Sequence, residues 1–149
     1  MKLEKKRVTK MANLEWHDFF EIGIDFIDAD HKKLLKIMID TKAAIEEENN
    51  NKCVQLLTSL LKEAKDHFSR EEEYLAEIKY PGLEEHKKYH KELLVKADTT
   101  KRICEGIEKE HDLVECFDGM ANFLIDDILR GDIMFKSYLE YEGYIPSDR

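Results

Sequence analysis

The sequence predicts an all-α fold, an up-down-up-down four-helix bundle with an N-terminal arm and a short C-terminal segment. Three observations point there. Apolar residues recur at spacings of three, four and seven along four stretches of about 20 residues each. Only two prolines and six glycines interrupt the chain. The connections between the periodic stretches are short, which makes neighbouring helices antiparallel.

Residues 1–10 are charged throughout and are expected to form a flexible tail; residues 11–149 are expected to form the domain. Residues 11–27 hold Trp16, Phe19, Phe20, Ile22, Ile24 and Phe26 around Gly23 with no clean helical period. Such an arm is expected to pack across the bundle and close one end. The first helix should begin near Asp28 or Asp30 and carry His31, Leu34, Leu35 and Met38 on one stripe. Glu46–Asn51 breaks the pattern and reads as a solvated turn. The second helix should run from about Lys52 to Glu77, with Leu56, Leu57, Leu60, Leu61, Ala64, Phe68 and Leu75 inward, until Tyr80-Pro81-Gly82 stops it. The third should span Leu83 to about Glu105, and the fourth roughly Ile107–Arg130. Beyond Gly131 and Asp132, the residues Ile133, Phe135, Tyr138, Leu139 and Tyr141 form the apolar C-terminal segment.

Composition narrows the function classes. A formal net charge of −9 repels a phosphate backbone and argues against nucleic-acid binding. No apolar run reaches the roughly 18 residues of a membrane span, and the charged start is unlike a signal peptide, so a cytoplasmic protein with no membrane partner is expected. Cys53, Cys104 and Cys116 are widely spaced, form no CxxC, and read as reduced thiols.

The chemistry lies in the placement of the six histidines. His31, His67, His86 and His90 fall on the inward stripes, as does Glu71. A buried carboxylate without a partner costs at least several kcal/mol, and a metal ion would compensate it while explaining the converging imidazoles. One HxxxE or HxxxH alone is weak, since a histidine on an apolar face is usually a hydrogen-bonded core residue. Here His67 and Glu71 share one helix face, and His86 and His90, 15 residues after Glu71, share the next. In an antiparallel pair these sets can meet at one level, and His31 adds a third helix. No thiolate is near, which argues against iron–sulfur and cysteine-based zinc sites. The ligands are too many for one tetrahedral zinc, and two metals bridged by carboxylates is the simpler account. His17, on the arm, and His111, near a helix start, read as surface residues.

At these residues the chain resembles hemerythrin, specifically the single-domain bacterial hemerythrins. The resemblance covers about Asn13–Tyr141 and rests on Trp16, the segment Gly23-Ile24-Asp25-Phe26-Ile27-Asp28-Ala29-Asp30-His31-Lys32-Lys33-Leu34, the run His67-Phe68-Ser69-Arg70-Glu71-Glu72, Tyr80-Pro81, and the His86–His90 pair. It implies two non-haem iron ions, cycling between Fe2+ and Fe3+ and joined by a bridging oxo or hydroxo group. By the same resemblance, His31 and His67 hold the iron with an open position, His86 and His90 hold the other, and Glu71 and Asp132 bridge them. Ile27, Leu124 and Ile128 would line the open site, and dioxygen would be the ligand, for carriage, storage or sensing.

One position departs from the family. Five residues before the bridging aspartate the family carries a histidine, and here the residue is Asp127. His111 is no substitute, lying 16 residues earlier, or about 24 Å along a straight helix. Asp127 can ligate the second iron, hold a water that completes its shell, or leave that iron weakly bound. An extra carboxylate favours ferric iron and brings the site closer to the carboxylate-rich oxidases. The competing functions are therefore an oxidase or peroxidase-like enzyme, fed by an electron-donor protein, and a metal-stabilised helical interaction module.

Overall fold

The computed structural model describes residues 14–106, 110–125 and 131–146. Five α-helices fall within these: α1 (Asp25–Glu46), α2 (Asn50–Glu77), α3 (Leu83–Glu105), α4 (Glu110–Ile125) and α5 (Ile133–Tyr141). Helix α1 packs on α2, α2 on α3, α3 on α4, and α4 returns to α1, which closes a ring of four. The expected bundle is the observed one, with the C-terminal segment forming the fifth, nine-residue helix. The expected tail and the end of the fourth helix, including Asp127 and Ile128, lie outside the described residues.

Helix boundaries follow local chemistry. At the end of α1, Glu48 takes a positive φ of 57°. Its amide donates to Ile45 O and that of Asn49 donates to Ala44 O, the paired reverse bonds of a Schellman turn. Asn49 then caps α2, its side chain accepting from the Lys52 amide at 3.2 Å. The end of α2 repeats the device with Lys79 at φ 57°, and the Tyr80 amide bonds Leu75 O at 2.9 Å. The stop therefore begins just before Pro81.

Helix α1 starts at Asp25, earlier than the sequence pattern suggests, because Asp28 does other work. Its carboxylate is buried and accepts from the amides of Ile22 (2.8 Å) and Gly23 (3.0 Å). That contact straps the arm across the start of α1. Further along the arm, Trp16 meets Phe20 edge-to-face at 5.6 Å and lies under the Lys32 ammonium at 5.0 Å. The arm packs as expected.

Two apolar clusters fill the interior. The larger contains Leu34, Leu35, Ala64, Phe68, Leu93, Phe123 and Leu124; the smaller closes one end with Ile22, Ile27, Leu75, Phe135, Leu139 and Ile145. Their order along the chain fixes the level of the site. Helix α1 runs from Ile27 in the end cluster, through His31, to Leu34 in the main core. Helix α2 runs the other way, from Ala64 through His67 and Glu71 to Leu75. Helix α3 reverses again, from Leu83 against the end cluster, through His86 and His90, to Leu93. The candidate ligands thus occupy one layer between two dry clusters.

Cys53 is buried and free, and burial pushes its thiol up to about 11. Cys116 is disulfide-bonded, which corrects the expectation of three reduced thiols. No described helix is long and apolar enough to cross a membrane.

Candidate metal centre

Spacing of four residues puts His67 and Glu71 on one side of α2, and His86 and His90 on one side of α3. His31 projects from α1. Asp132 arrives from the turn that starts α5, where its carbonyl accepts from Phe135 and Lys136 at 3.3 and 3.2 Å. An aspartate there would ordinarily cap the helix with its side chain. This one makes no such bond, and its fully buried carboxylate turns into the bundle instead. All six residues are buried.

They form two overlapping groups, His31, His67, Glu71 and Asp132, and Glu71, His86, His90 and Asp132, with candidate ligand atoms within 4.8 Å of one another in each. The two carboxylates belong to both. Glu71 presents Oε2 to His67 Nε2 at 3.0 Å, and Oε1 to His86 Nε2 at 2.7 Å and His90 Nε2 at 3.2 Å. Asp132 presents Oδ2 to His31 Nε2 at 2.6 Å and Oδ1 to His86 Nε2 at 3.6 Å. Each carboxylate divides its oxygens between two histidine pairs, as a bridge between two cations does.

The donor set fits such cations. His31 Nε2 and His67 Nε2 face each other at 3.0 Å. Two imidazole nitrogens bound at right angles to one first-row metal, at about 2.1 Å each, would lie that far apart. Buried polar atoms normally have hydrogen-bond partners, yet Glu71 Oε2 and both Asp132 oxygens accept no well-formed hydrogen bond among the described residues. A cation would satisfy these oxygens. Electrostatics tell the same story. Burial pushes the Glu71 carboxyl up, but the charge and hydrogen bonds of His67, with those of His86 and His90, outweigh it and hold the pKa well below the ordinary value. Asp132 is raised to about 6 by burial and by the Glu71 charge beside it. Two carboxylates this close in a dry interior cannot both stay charged at low cost without cations between the histidines.

Rings pack the ligands in place. Phe68 stacks on His90 at 3.9 Å and 10°, and Phe135 meets His86 edge-on at 5.2 Å. Of the expected apolar lining, Ile27 and Leu124 are buried, in the end cluster and the main core respectively. His17 is exposed and stacked on Phe19 at 5.4 Å. His111 falls in the first turn of α4.

The sequence reading missed three residues around the ligands. Asp30 Oδ2 lies 3.0 Å from His67 Nδ1, and Arg70 grips the same carboxylate through Nε and Nη2, each at 3.0 Å. Burial raises the Asp30 pKa, and the bonds from His67 and Arg70 together bring it below the ordinary value. On the other side, Glu72 Oε2 lies 2.9 Å from His90 Nδ1. The only signal in sequence is that each acid adjoins a candidate ligand.

Comparison with known proteins agrees with this geometry. The family model described as hemerythrin HHE cation binding domain matches residues 22–135. A bacteriohemerythrin of Clostridium acetobutylicum is 31% identical over 121 residues, which cover 78% of this chain and 94% of that protein. A myohemerythrin of Riftia pachyptila is 35% identical over 81 residues, 54% of this chain and 62% of its own length. A bacteriohemerythrin of Stenotrophomonas maltophilia is 30% identical over 80 residues, 54% of this chain and 52% of its own. With most of the chain matched and both ligand groups assembled in one buried layer, the protein belongs to the hemerythrin family of cation-binding domains.

Proposed function

We propose that this chain binds dioxygen at a pair of non-haem irons, with His31 and His67 on the ion that keeps an open position. His86 and His90 hold the other ion, Glu71 and Asp132 bridge the two, and Asp127 takes the remaining protein position on the His86–His90 ion. The observation that carries this reading is the division of each buried carboxylate's oxygens between two histidine pairs. A single-metal site has no use for that arrangement.

When bound, the iron pair supplies the electrons that dioxygen binding draws on. The chain's own residues do the rest. Glu71 and Asp132 add negative charge that offsets two cations in an interior where charges interact strongly. Ile27 and Leu124, with Ile128, keep the open position dry, which admits a neutral diatomic and disfavours the escape of charged oxygen species. Carriage, storage and sensing all rest on this same binding step.

A second reading, a di-iron oxidase or peroxidase-like enzyme supplied by an electron-donor protein, is favoured by one feature. Asp127 puts a carboxylate where the resembled proteins have a neutral imidazole. Anaerobic reconstitution with ferrous iron, iron quantification, and optical spectra through cycles of air and vacuum separate the two. Two irons per chain with a reversible charge-transfer band is the outcome expected for dioxygen binding. A band that forms once and does not reverse supports turnover, and failure to take up two irons sinks both readings.

A further inference from the structure

His67 and His90 present Nε2 to the metal layer, and each has a carboxylate at its other nitrogen. A carboxylate only accepts, so Nδ1 carries the proton and Nε2 keeps the lone pair a metal needs. Hydrogen bonding of this kind fixes ring orientation and makes the imidazole a stronger donor. The two arrangements differ. Glu72 faces His90 as its ion-pair partner among the described residues. Asp30 is shared: the guanidinium of Arg70 holds both its oxygens in a two-bond fork while Oδ2 also receives His67 Nδ1–H. His67 is fully buried, Asp30 is 16% exposed and Arg70 46% exposed, so a chain of three groups leads from solvent to the ligand.

We propose that Asp30 and Arg70 form a positioning pair that tunes the ion held by His31 and His67: Asp30 aims and strengthens His67 as a donor, and Arg70 limits that strengthening by drawing on the same carboxylate. This rests on the di-iron reading above and assigns the pair a specific task within it. Negative charge at Nδ1 passes to the metal as greater donation and favours the ferric state. Removing the acid should make the ion easier to reduce, and removing the arginine should make it harder. A pair that merely braced the ring would not give opposite signs, since losing either member would loosen the same imidazole.

The test compares wild type with Asp30→Asn, which keeps an acceptor oxygen but not the charge, and with Arg70→Gln at the exposed end of the chain. Iron per chain, ferrous affinity against a competing chelator, and reduction potential by anaerobic titration are measured on each. The expected result is about a 10–100-fold loss of ferrous affinity in Asp30→Asn, with a raised potential there and a lowered potential in Arg70→Gln. Shifts of the same sign, or unchanged potentials with iron retained, overturn the proposal. Should Asp30→Asn not fold, an unmoved potential in Arg70→Gln overturns it alone. A wild-type protein that takes up no iron overturns the di-iron reading itself, an outcome distinguishable from the others because it appears before any substitution is made.

Discussion

Gly131 and Tyr89 touch so closely that no side chain fits between them: a Cβ on Gly131 would lie 2.8 Å from Tyr89 Cε1 and 3.6 Å from His86 Cε1. The missing methyl lets the backbone before Asp132 settle against α3. Gly131→Ala should push that backbone away from the ring, costing about 1–3 kcal/mol as overpacking does. Because Asp132 is the next residue, its carboxylate should move with it. The expected outcome is lower iron content as well as a lower thermal midpoint. A loss of stability with full iron loading would place the strain elsewhere.

Metal removal should weaken the fold. Six buried ionisable side chains share one layer, and Glu71 Oε2 and both Asp132 oxygens accept no well-formed hydrogen bond among the described residues. A ligand at 100 times its dissociation constant stabilises the native state by about 2.7 kcal/mol. For a chain of this size that is roughly 5–10 °C in thermal midpoint. Calorimetry on loaded and chelator-stripped protein, with iron assayed in both, checks this prediction, and equal midpoints would contradict it. Glu71→Gln should abolish the difference, since an amide cannot offer two anionic oxygens.

The gap between loaded and stripped protein should narrow in acid. In the stripped protein burial raises Asp132 to about 6. Burial lowers His90, but its bonds to Glu71 and Glu72 raise it further, for a net rise. Raised groups contribute stability that is present at low pH and lost as pH climbs through the folded-state values. Glu71 is lowered, so its contribution fails only in stronger acid. Metal binding needs neutral imidazoles and is lost as protons compete. As pH falls from neutral through about 6, the stripped form should therefore gain stability while the loaded form loses its ions. Parallel melting curves across that range would refute the assignment.

Asp127→Asn and Asp127→His should slow autoxidation of the iron-loaded protein about tenfold or more, equivalent to roughly 1.4 kcal/mol on the barrier. On the proposed ligand set both would remove a negative charge from the His86–His90 ion, and both should then raise the reduction potential. If iron stays at two per chain and neither quantity moves in either variant, Asp127 does not touch the metal.

Much of this was legible in sequence because one periodicity recurs four times. His31, His67, Glu71, His86 and His90 sit on the same stripes as the core leucines, so their burial followed from helix geometry alone. Asp132 was reachable only through family resemblance, since an aspartate before a helix ordinarily reads as a cap. The start of α1 was misjudged because the Asp28 carboxylate binds the arm's amides, a contact that spans a bend. Asp30 and Glu72 were missed for a different reason. Their partners stand 37 and 18 residues away on other helices, and only packing decides which acid meets which ring. That Cys116 is disulfide-bonded was likewise not encoded by cysteine spacing.

The ligand layer between the two apolar clusters also bears on how the chain comes apart. Cooperativity in a small domain depends on uninterrupted apolar contact, and here the contact is broken by a sheet of charge and imidazole. Ions that tie α1, α2, α3 and the start of α5 together would fasten the two halves into one unit. Without them the end cluster around Ile27, Leu75 and Phe135 is free to open ahead of the core around Phe68 and Phe117. The layer of candidate ligands would thus double as the joint along which the molecule divides, and hydrogen exchange would register it as two protection levels merging into one when metal is added.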